Sequence, residues 1–297
     1  MRAVWTFWTK PFLANASWGW LSERHHLLSW ILSVETARHH FPSICLYTDS
    51  HGAYLLVDRL GLRFDTVSTA LDSLRHYDPR WWTLGKLHAY RSETSPFVHI
   101  DSDAYLWKAI DPSIIAGDLF AQNAEYFSLG ASEFYMPEVL ESFLLKRGGW
   151  LPTEWLWART VFGACQKGIA CGVFGGQNLA FIRYYAELAF RLITDSRNAA
   201  LLPNVPHKAR HAILLEQYLL SACVDYHHGR EGSPFKNLTV KFLFDSFEDA
   251  YFDAGRIGLT HLLANTKKDP ILMRRLEDRV AQNYPDLYDR CLLVSGR

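Results

Sequence analysis

Pro96-Phe97-Val98-His99-Ile100-Asp101-Ser102-Asp103-Ala104-Tyr105 is a short apolar β-run that ends in two carboxylates one residue apart. In an α/β sheet, a strand buried on both faces reads as a continuous apolar run, and ligands bind beyond the carboxyl ends of such strands. The stretch therefore predicts a buried strand that delivers Asp101 and Asp103 to the ligand edge, where a metal-bound phosphate would sit. Alternate side chains of a straight strand leave one face in parallel. The two carboxylates can share one divalent cation only if the backbone bends sharply at Ser102. Taken alone, Asp-Ser-Asp is more often an acidic turn than a metal site, so the decision rests on the rest of the chain.

Working outward, strands and helices alternate. Ala3 to Phe7 is a compact β-branched and aromatic run. Trp18 to Phe41 carries Leu27, Leu28, Ile31, Leu32, Val34, Ala37 and Phe41 at helical spacing and stops at Pro42. Ile44 to Thr48 is a second strand ending at Asp49, Ala53 to Leu60 a helix closed by Gly61, and Phe64 to Val67 a third strand. A helix around Trp82-Thr-Leu-Gly85-Lys86-Leu-His-Ala-Tyr90 precedes the acidic strand. This progression predicts an α/β fold with a Rossmann-like, mostly parallel mixed sheet flanked by helices and joined by right-handed crossovers. The first strand lacks Gly-x-Gly-x-x-Gly, which argues against a dinucleotide oxidoreductase. No linker or repeat interrupts the pattern, and one catalytic domain over 1–297 is expected.

Composition agrees with a compact enzyme. With 297 residues, 49% of them hydrophobic, a sizeable core is available. Lys plus Arg and Asp plus Glu each total 31, for a formal net charge of zero. A nucleic-acid partner therefore has no global electrostatic footprint. Aromatics reach 14%, with 11 Trp, available for packing or for a sugar-stacking surface. The five cysteines (45, 165, 171, 223, 291) have no zinc-like pairing, and Cys165 and Cys171 flank what reads as a Gly-containing turn. A reduced, cytoplasmic protein is the simplest account. No signal peptide is read at the start and no segment reaches the roughly 18 apolar residues of a membrane span, leaving only peripheral membrane contact open.

Three further stretches carry chemistry. Gly175-Gly176-Gln177-Asn178 lies between apolar, strand-like runs; paired glycines allow close backbone approach and the amides offer donors and acceptors for hydroxyls. His207 to Tyr226 reads as one amphipathic helix with Ile213, Leu214, Tyr218, Leu219, Ala222 and Cys223 toward the core. Within it Glu216-Gln217 interrupts the apolar run, and either residue is costly to bury without partners. Finally Gly258-Leu-Thr-His261-Leu-Leu-Ala-Asn-Thr-Lys267-Lys268 sets an imidazole at a strand end with two lysines a few residues on.

A lysine-bearing helix, then a strand into Asp-x-Asp, then a late His and Lys resembles the nucleotide-diphospho-sugar glycosyltransferases of the GT-A fold, in particular the glycogenin and lipopolysaccharide galactosyltransferase group. The resemblance runs from the first strand to about Asp269 through short motifs. It implies that Asp101, Asp103 and His261 ligate Mn²⁺ or Mg²⁺ on the donor diphosphate; imidazole suits Mn²⁺ better. It implies a nucleotide-binding half over 1–105, with Thr6, Trp8, Thr9, Lys10, Asp49, Lys86, Asp101 and Ser102 near the nucleotide sugar. It implies a donor-sugar and acceptor half over 106–268, with Gly175, Gly176, Gln177 and Asn178 against the sugar. Glu216 and Gln217 match an Asp-Gln pair of the family, with Glu for Asp and the pair well inside its helix. Lys267 or Lys268 is implied on the leaving diphosphate. Residues 269–297 read as a helical cap, with Met273, Leu276 and Val280 on one stripe.

The activity so implied is metal-dependent transfer of a sugar from a nucleotide-diphosphate sugar, a UDP-sugar by the family, to a hydroxyl of a glycan, protein, peptide or small molecule. The His and Lys pattern favours retention; inversion needs a base such as Glu216 or Glu154. A metal-dependent nucleotidyltransferase or phosphohydrolase using Asp101 and Asp103, and a non-catalytic sugar-binding protein, are the alternatives. Sugar, base, acceptor and oligomeric state are not legible in the sequence.

Overall fold

The computed structural model describes residues 1–14 and 19–296, so Trp18, the expected start of the first long helix, lies outside them. The described strands are β1 (Arg2–Phe7), β2 (Ile44–Thr48), β3 (Thr66–Ser68), β4 (Phe97–Ile100), β5 (Ala104–Leu106), β6 (Leu119–Ser128), β7 (Cys165–Gly176), β8 (Val240–Phe242) and β9 (Leu259–His261). The chain forms two compact units. One comprises Met1–Pro79, Phe97–Asp111 and Glu248–Arg297; the other comprises Arg80–Pro96 and Pro112–Phe247.

In the first unit β1 runs parallel to β2, from Ala3↔Ile44 to Phe7↔Thr48, and to β4, from Arg2↔Phe97 to Val4↔His99; β2 is parallel to β3. The order is β3-β2-β1-β4. Parallel neighbours need crossovers. Helix Glu23–Arg38 supplies the first, and Ser50–Ala53 running into a π-helical stretch, Tyr54–Arg59, supplies the second. Every residue of β2 and β4 is buried, as their apolar runs predict. Helix Glu23–Arg38 starts where Ser22 Oγ accepts the His25 N–H, and twelve of its sixteen residues are buried, so it is covered nearly all round rather than along one stripe. β5 and β9 form a separate antiparallel ladder.

Asp269 opens the helix Pro270–Asn283 by accepting the Ile271 and Leu272 N–H groups, and Met273, Leu276 and Val280 are its buried stripe, as expected. A second C-terminal helix, Pro285–Val294, follows. Only Cys291 of its ten residues is buried.

In the second unit β6 and β7 form a long antiparallel pair, from Phe120↔Gly175 to Ser128↔Cys165, and β8 adds parallel to β6. Three local expectations are corrected here. Leu179–Thr194 is a helix, not a strand after the glycines: Asn178 caps it by accepting the Phe181 N–H, and Phe181, Ile182, Tyr185, Ala186 and Ala189 bury one helical face. Cys165 and Cys171 lie inside β7 rather than flanking a turn; the glycine between them, Gly168, leaves space that the Tyr135 ring fills. The helix expected over His207–Tyr226 is split by a π-helical segment, Leu214–Tyr218, between α-helices Lys208–Ile213 and Leu219–His227.

The fold is thus α/β and Rossmann-like, with a mostly parallel mixed set of main-sheet strands flanked by helices, as the alternation predicts. The five cysteines are thiols outside any disulfide. No described helix is long and apolar enough to cross a membrane.

Two buried histidines make the fold sensitive to acid. Burial pushes His26 down to about 3 and His211 down to about 4. Both are neutral in the fold, whereas the unfolded chain takes up their protons near 6.5. The folded pKa values are depressed, so stability is complete above about pH 6.5 and is lost as pH falls toward 4, each histidine removing about 1.4 kcal/mol for every tenfold rise in proton activity. Denaturant midpoints should decline across this window, and His211→Asn should flatten the decline; a flat wild-type profile would refute the assignment.

Candidate metal centre

Order β3-β2-β1-β4 reverses direction between β1 and β4, and in open α/β sheets ligands bind in the crevice beyond the strand ends at such a point. β4 ends at Ile100 and the chain turns at once, with the Ala104 N–H donating to the Asp101 carbonyl at 3.0 Å. The turn is held from the side by helix Glu23–Arg38. Ser33 Oγ donates to the Asp101 carbonyl (2.9 Å) and Ser29 Oγ to the Ser102 carbonyl (2.6 Å). These serines are one helical turn apart and so share a face. Each is fixed in turn: Trp5 Nε1 donates to Ser33 Oγ (2.9 Å), and the Tyr105 hydroxyl lies 2.8 Å from Ser29 Oγ. Thr36, next along the same face, accepts the Leu106 N–H at 3.3 Å. The bend required at Ser102 is therefore built, and a row of hydroxyls on a buried helix builds it.

The ladder β5–β9 brings in the third group. Ala104 pairs with His261, and the Leu262 N–H extends the pairing to the Asp103 carbonyl at 2.9 Å. His261 Nε2 then stands 3.2 Å from Asp103 Oδ1. One ligand atom from each of Asp101, Asp103 and His261 falls within 4.8 Å of the others. Two carboxylate oxygens and an imidazole nitrogen at this spacing fit a divalent cation of the Mn²⁺ type, with positions left for other ligands.

Charge at the cluster is already compensated in part. Lys267 Nζ pairs with Asp103 Oδ2, leaving Lys268 exposed, so the two lysines are distinguished. Burial favours the neutral acid at Asp103, but the Lys267 ammonium and His261 outweigh it and hold the carboxyl well below its usual range. Lys267 sits on the short 3₁₀ turn Ala264–Lys268; its carbonyl accepts the Leu21 N–H at 2.9 Å and its Nζ lies 5.6 Å from the centre of the Trp20 ring. His99, inside β4, places Nδ1 3.7 Å from Asp101 Oδ1 and Nε2 3.0 Å from Thr6 Oγ1.

The other expected nucleotide contacts of this unit bond to the chain itself. Trp8 is buried. The Thr9 N–H and Oγ1 donate to the Asp49 carboxylate at 2.8–2.9 Å, and Asp49 also accepts the Gly52 N–H at 2.8 Å, capping the helix after β2. Lys10 Nζ donates to the carbonyls of Arg75 (2.6 Å) and Tyr77 (2.7 Å). Residues expected as a polar turn thus open a short helix, Thr9–Ala14, which Thr9 ties to the end of β2 and Lys10 ties to the segment around residues 75–77.

In the second unit Glu216 is fully buried and accepts from Lys86 Nζ at 2.9 Å and the Tyr90 hydroxyl at 3.3 Å, which answers the cost of burying it. Gln217 meets the Tyr135 hydroxyl, which also donates to Glu125. A Cβ on Gly176 would fall 2.1 Å from the Asp118 carbonyl, so the close approach that this glycine permits is to the chain's own backbone. Gln177 Nε2 donates to the Ile115 carbonyl at 2.9 Å, and Asn178 is the helix cap described above. Glu154 accepts from the Tyr184 hydroxyl and stands 3.9 Å from His227 Nε2.

Sequence reasoning missed Ser29, Ser33, Thr36 and His99. The legible signal was three hydroxyls at i, i+4 and i+7 interleaved with Leu27, Leu28, Ile31, Leu32, Val34 and Ala37.

Two expected outcomes follow from these contacts. Ser29→Ala with Ser33→Ala frees the acidic turn and should weaken Mn²⁺ binding by roughly 10- to 100-fold with far-UV circular dichroism unchanged; wild-type affinity in a calorimetric titration would remove the helix from the site. Lys86→Met strands a buried carboxylate and should cost about 3–5 kcal/mol in denaturant unfolding, most of it recovered by adding Glu216→Leu.

Comparison with known proteins adds a family and no activity. No curated protein matches the sequence significantly. A family model matches residues 1–294, nearly the whole chain, and the chain therefore belongs to that family, a family of unknown function (DUF6734).

Proposed function

We propose that the protein is a metal-dependent glycosyltransferase of the GT-A type, moving a sugar from a nucleotide-diphosphate sugar, with a UDP-sugar as the first donor to test, to an acceptor hydroxyl with retention. The observation that carries the reading is the convergence of Asp101, Asp103 and His261 within 4.8 Å at the carboxyl end of a buried parallel strand. Residues 158 positions apart in sequence (261 − 103) are brought together by a ladder of three residue pairs, and one of them, Asp103, is buried and ionised.

In this reading Asp101, Asp103 and His261 would hold the cation, which would offer its remaining charge to the phosphates of the donor. The cation, when bound, stabilises negative charge on the departing nucleoside diphosphate. Lys267 adds a charge-assisted hydrogen bond to the same leaving group, its ammonium being already aimed at the cluster. His99, braced by Thr6, orients Asp101. The hydroxyl row of helix Glu23–Arg38 keeps both carboxylates in place before any ligand arrives, so that little reorganisation accompanies the reaction. The five thiols are in keeping with a reducing compartment, and we propose a cytoplasmic site of action.

Titration with Mn²⁺ and a panel of nucleotide sugars, followed by product analysis, tests the activity. Asp103→Ala should abolish transfer and Mn²⁺-dependent nucleotide binding with the fold intact, and His261→Ala should act the same way more weakly. Full activity of Asp103→Ala, or of the wild type in excess chelator, would discard the reading. Lys267→Met should depress turnover by roughly ten- to a thousandfold and donor affinity less, whereas Lys268→Met, at an exposed position, should change neither.

A further inference from the structure

Asp103 has two carboxylate oxygens and both are engaged. Oδ1 faces His261 Nε2 at 3.2 Å, and Oδ2 carries the ammonium of Lys267. The side chain of Asp103 is only 11% exposed and that of Lys267 only 21%, so this ion pair is largely withdrawn from water. A divalent cation ligated by Asp103 therefore arrives where a cation already sits. Two positive charges on one buried carboxylate repel at contact distance, with little solvent between them to screen the repulsion.

Lys267 has somewhere to go. Its backbone is pinned by the Leu21 N–H on its carbonyl at 2.9 Å, so the segment stays while the four-carbon stem swings. The face of Trp20, 5.6 Å from Nζ, keeps an ammonium near the cluster when it leaves the carboxylate. What the displaced ammonium lacks at that point is an anion. A diphosphate on the open side of the cation supplies it.

We propose that Lys267 is the built-in counterion of the cation site, and that it makes a divalent cation and a diphosphate bind cooperatively by passing from Asp103 to the phosphate oxygens. The inference rests on the metal reading given above and goes beyond it, because it assigns an order of preference: the site takes cation and diphosphate together and resists the cation alone. By linkage the cation tightens the diphosphate by the same factor that the diphosphate tightens the cation.

The test uses the whole chain, Mn²⁺ as the cation and uridine diphosphate as the diphosphate, with affinities read by calorimetry or by the electron-spin signal of free Mn²⁺. Without the diphosphate, Lys267→Met and Lys267→Gln should bind Mn²⁺ about tenfold more tightly than the wild type, while Lys267→Arg, which keeps the charge, should stay close to it. Adding the diphosphate should tighten Mn²⁺ on the wild type by about tenfold more than on Lys267→Met, whose remaining coupling comes from the phosphate oxygens alone. Thermal melting of both neutral variants identifies the one that is folded and to be read, and the coupling in the wild type needs no variant. Equal or weaker Mn²⁺ binding by the folded neutral variants, or a coupling to the diphosphate no larger in the wild type than in Lys267→Met, overturns the counterion role and leaves the metal site standing. No Mn²⁺ binding by any form, with or without the diphosphate, overturns the metal reading and this inference together.

Discussion

Two hydrogen bonds decide what the first unit can do. Ser29 and Ser33 hold in place the turn that the Ala104 N–H closes on the Asp101 carbonyl, and on a straight strand the two carboxylates would point away in parallel. The hydroxyls take the carbonyls of the turn at 2.6 and 2.9 Å from a helix that is itself buried, so their donors face little competition from water. Trp5 then locks Ser33 from the neighbouring strand. Helix, β1, β4 and the acidic turn are thereby one hydrogen-bonded assembly, and the charge placed at the strand end is a property of that assembly rather than of the tripeptide Asp-Ser-Asp.

Each unit also buries a carboxylate against one lysine, with different surroundings. Glu216 is enclosed completely and shares its oxygen between Lys86 and Tyr90, a pairing that stabilises a π-helical turn from within. Single π-turns inside helices recur at functional sites because the extra residue re-aims side chains. Asp103 keeps partial access to solvent and is backed by an imidazole, a better ligand than a phenol for a metal ion. Glu216 is thus closed off from solvent altogether, whereas Asp103 keeps a narrow exposed edge.

Much of this was legible in the sequence, and the failures have physical causes. β2 and β4 announced themselves because apolar runs of four or five residues between polar stops are what a doubly covered parallel strand requires. Asp103, His261 and Lys267 were readable as types in an order, although only the β5–β9 register shows that they meet. The strand expected after Asn178 became a helix because Asn178 caps it and the apolar residues that follow, Phe181, Ile182, Tyr185, Ala186 and Ala189, fall on one helical face. Gly176 looked like room for a ligand and is filled by the Asp118 carbonyl, a contact that no local pattern encodes. The serine row was overlooked since a hydroxyl in an apolar helix normally satisfies itself on its own backbone, as Thr36 does on the Leu32 carbonyl.

The C-terminal helices Pro270–Asn283 and Pro285–Val294 pack on helix Glu23–Arg38, the element that grips the acidic turn. On the ribosome the grip is synthesised first and its cover much later, after β4, the acidic turn and the whole second unit. The nascent chain therefore carries an uncovered apolar helix through most of its synthesis, in the state where aggregation and chaperone capture compete with folding. A chain stopped before these helices would expose that surface. The helix that grips the acidic turn is thus covered only when the last two helices of the chain arrive.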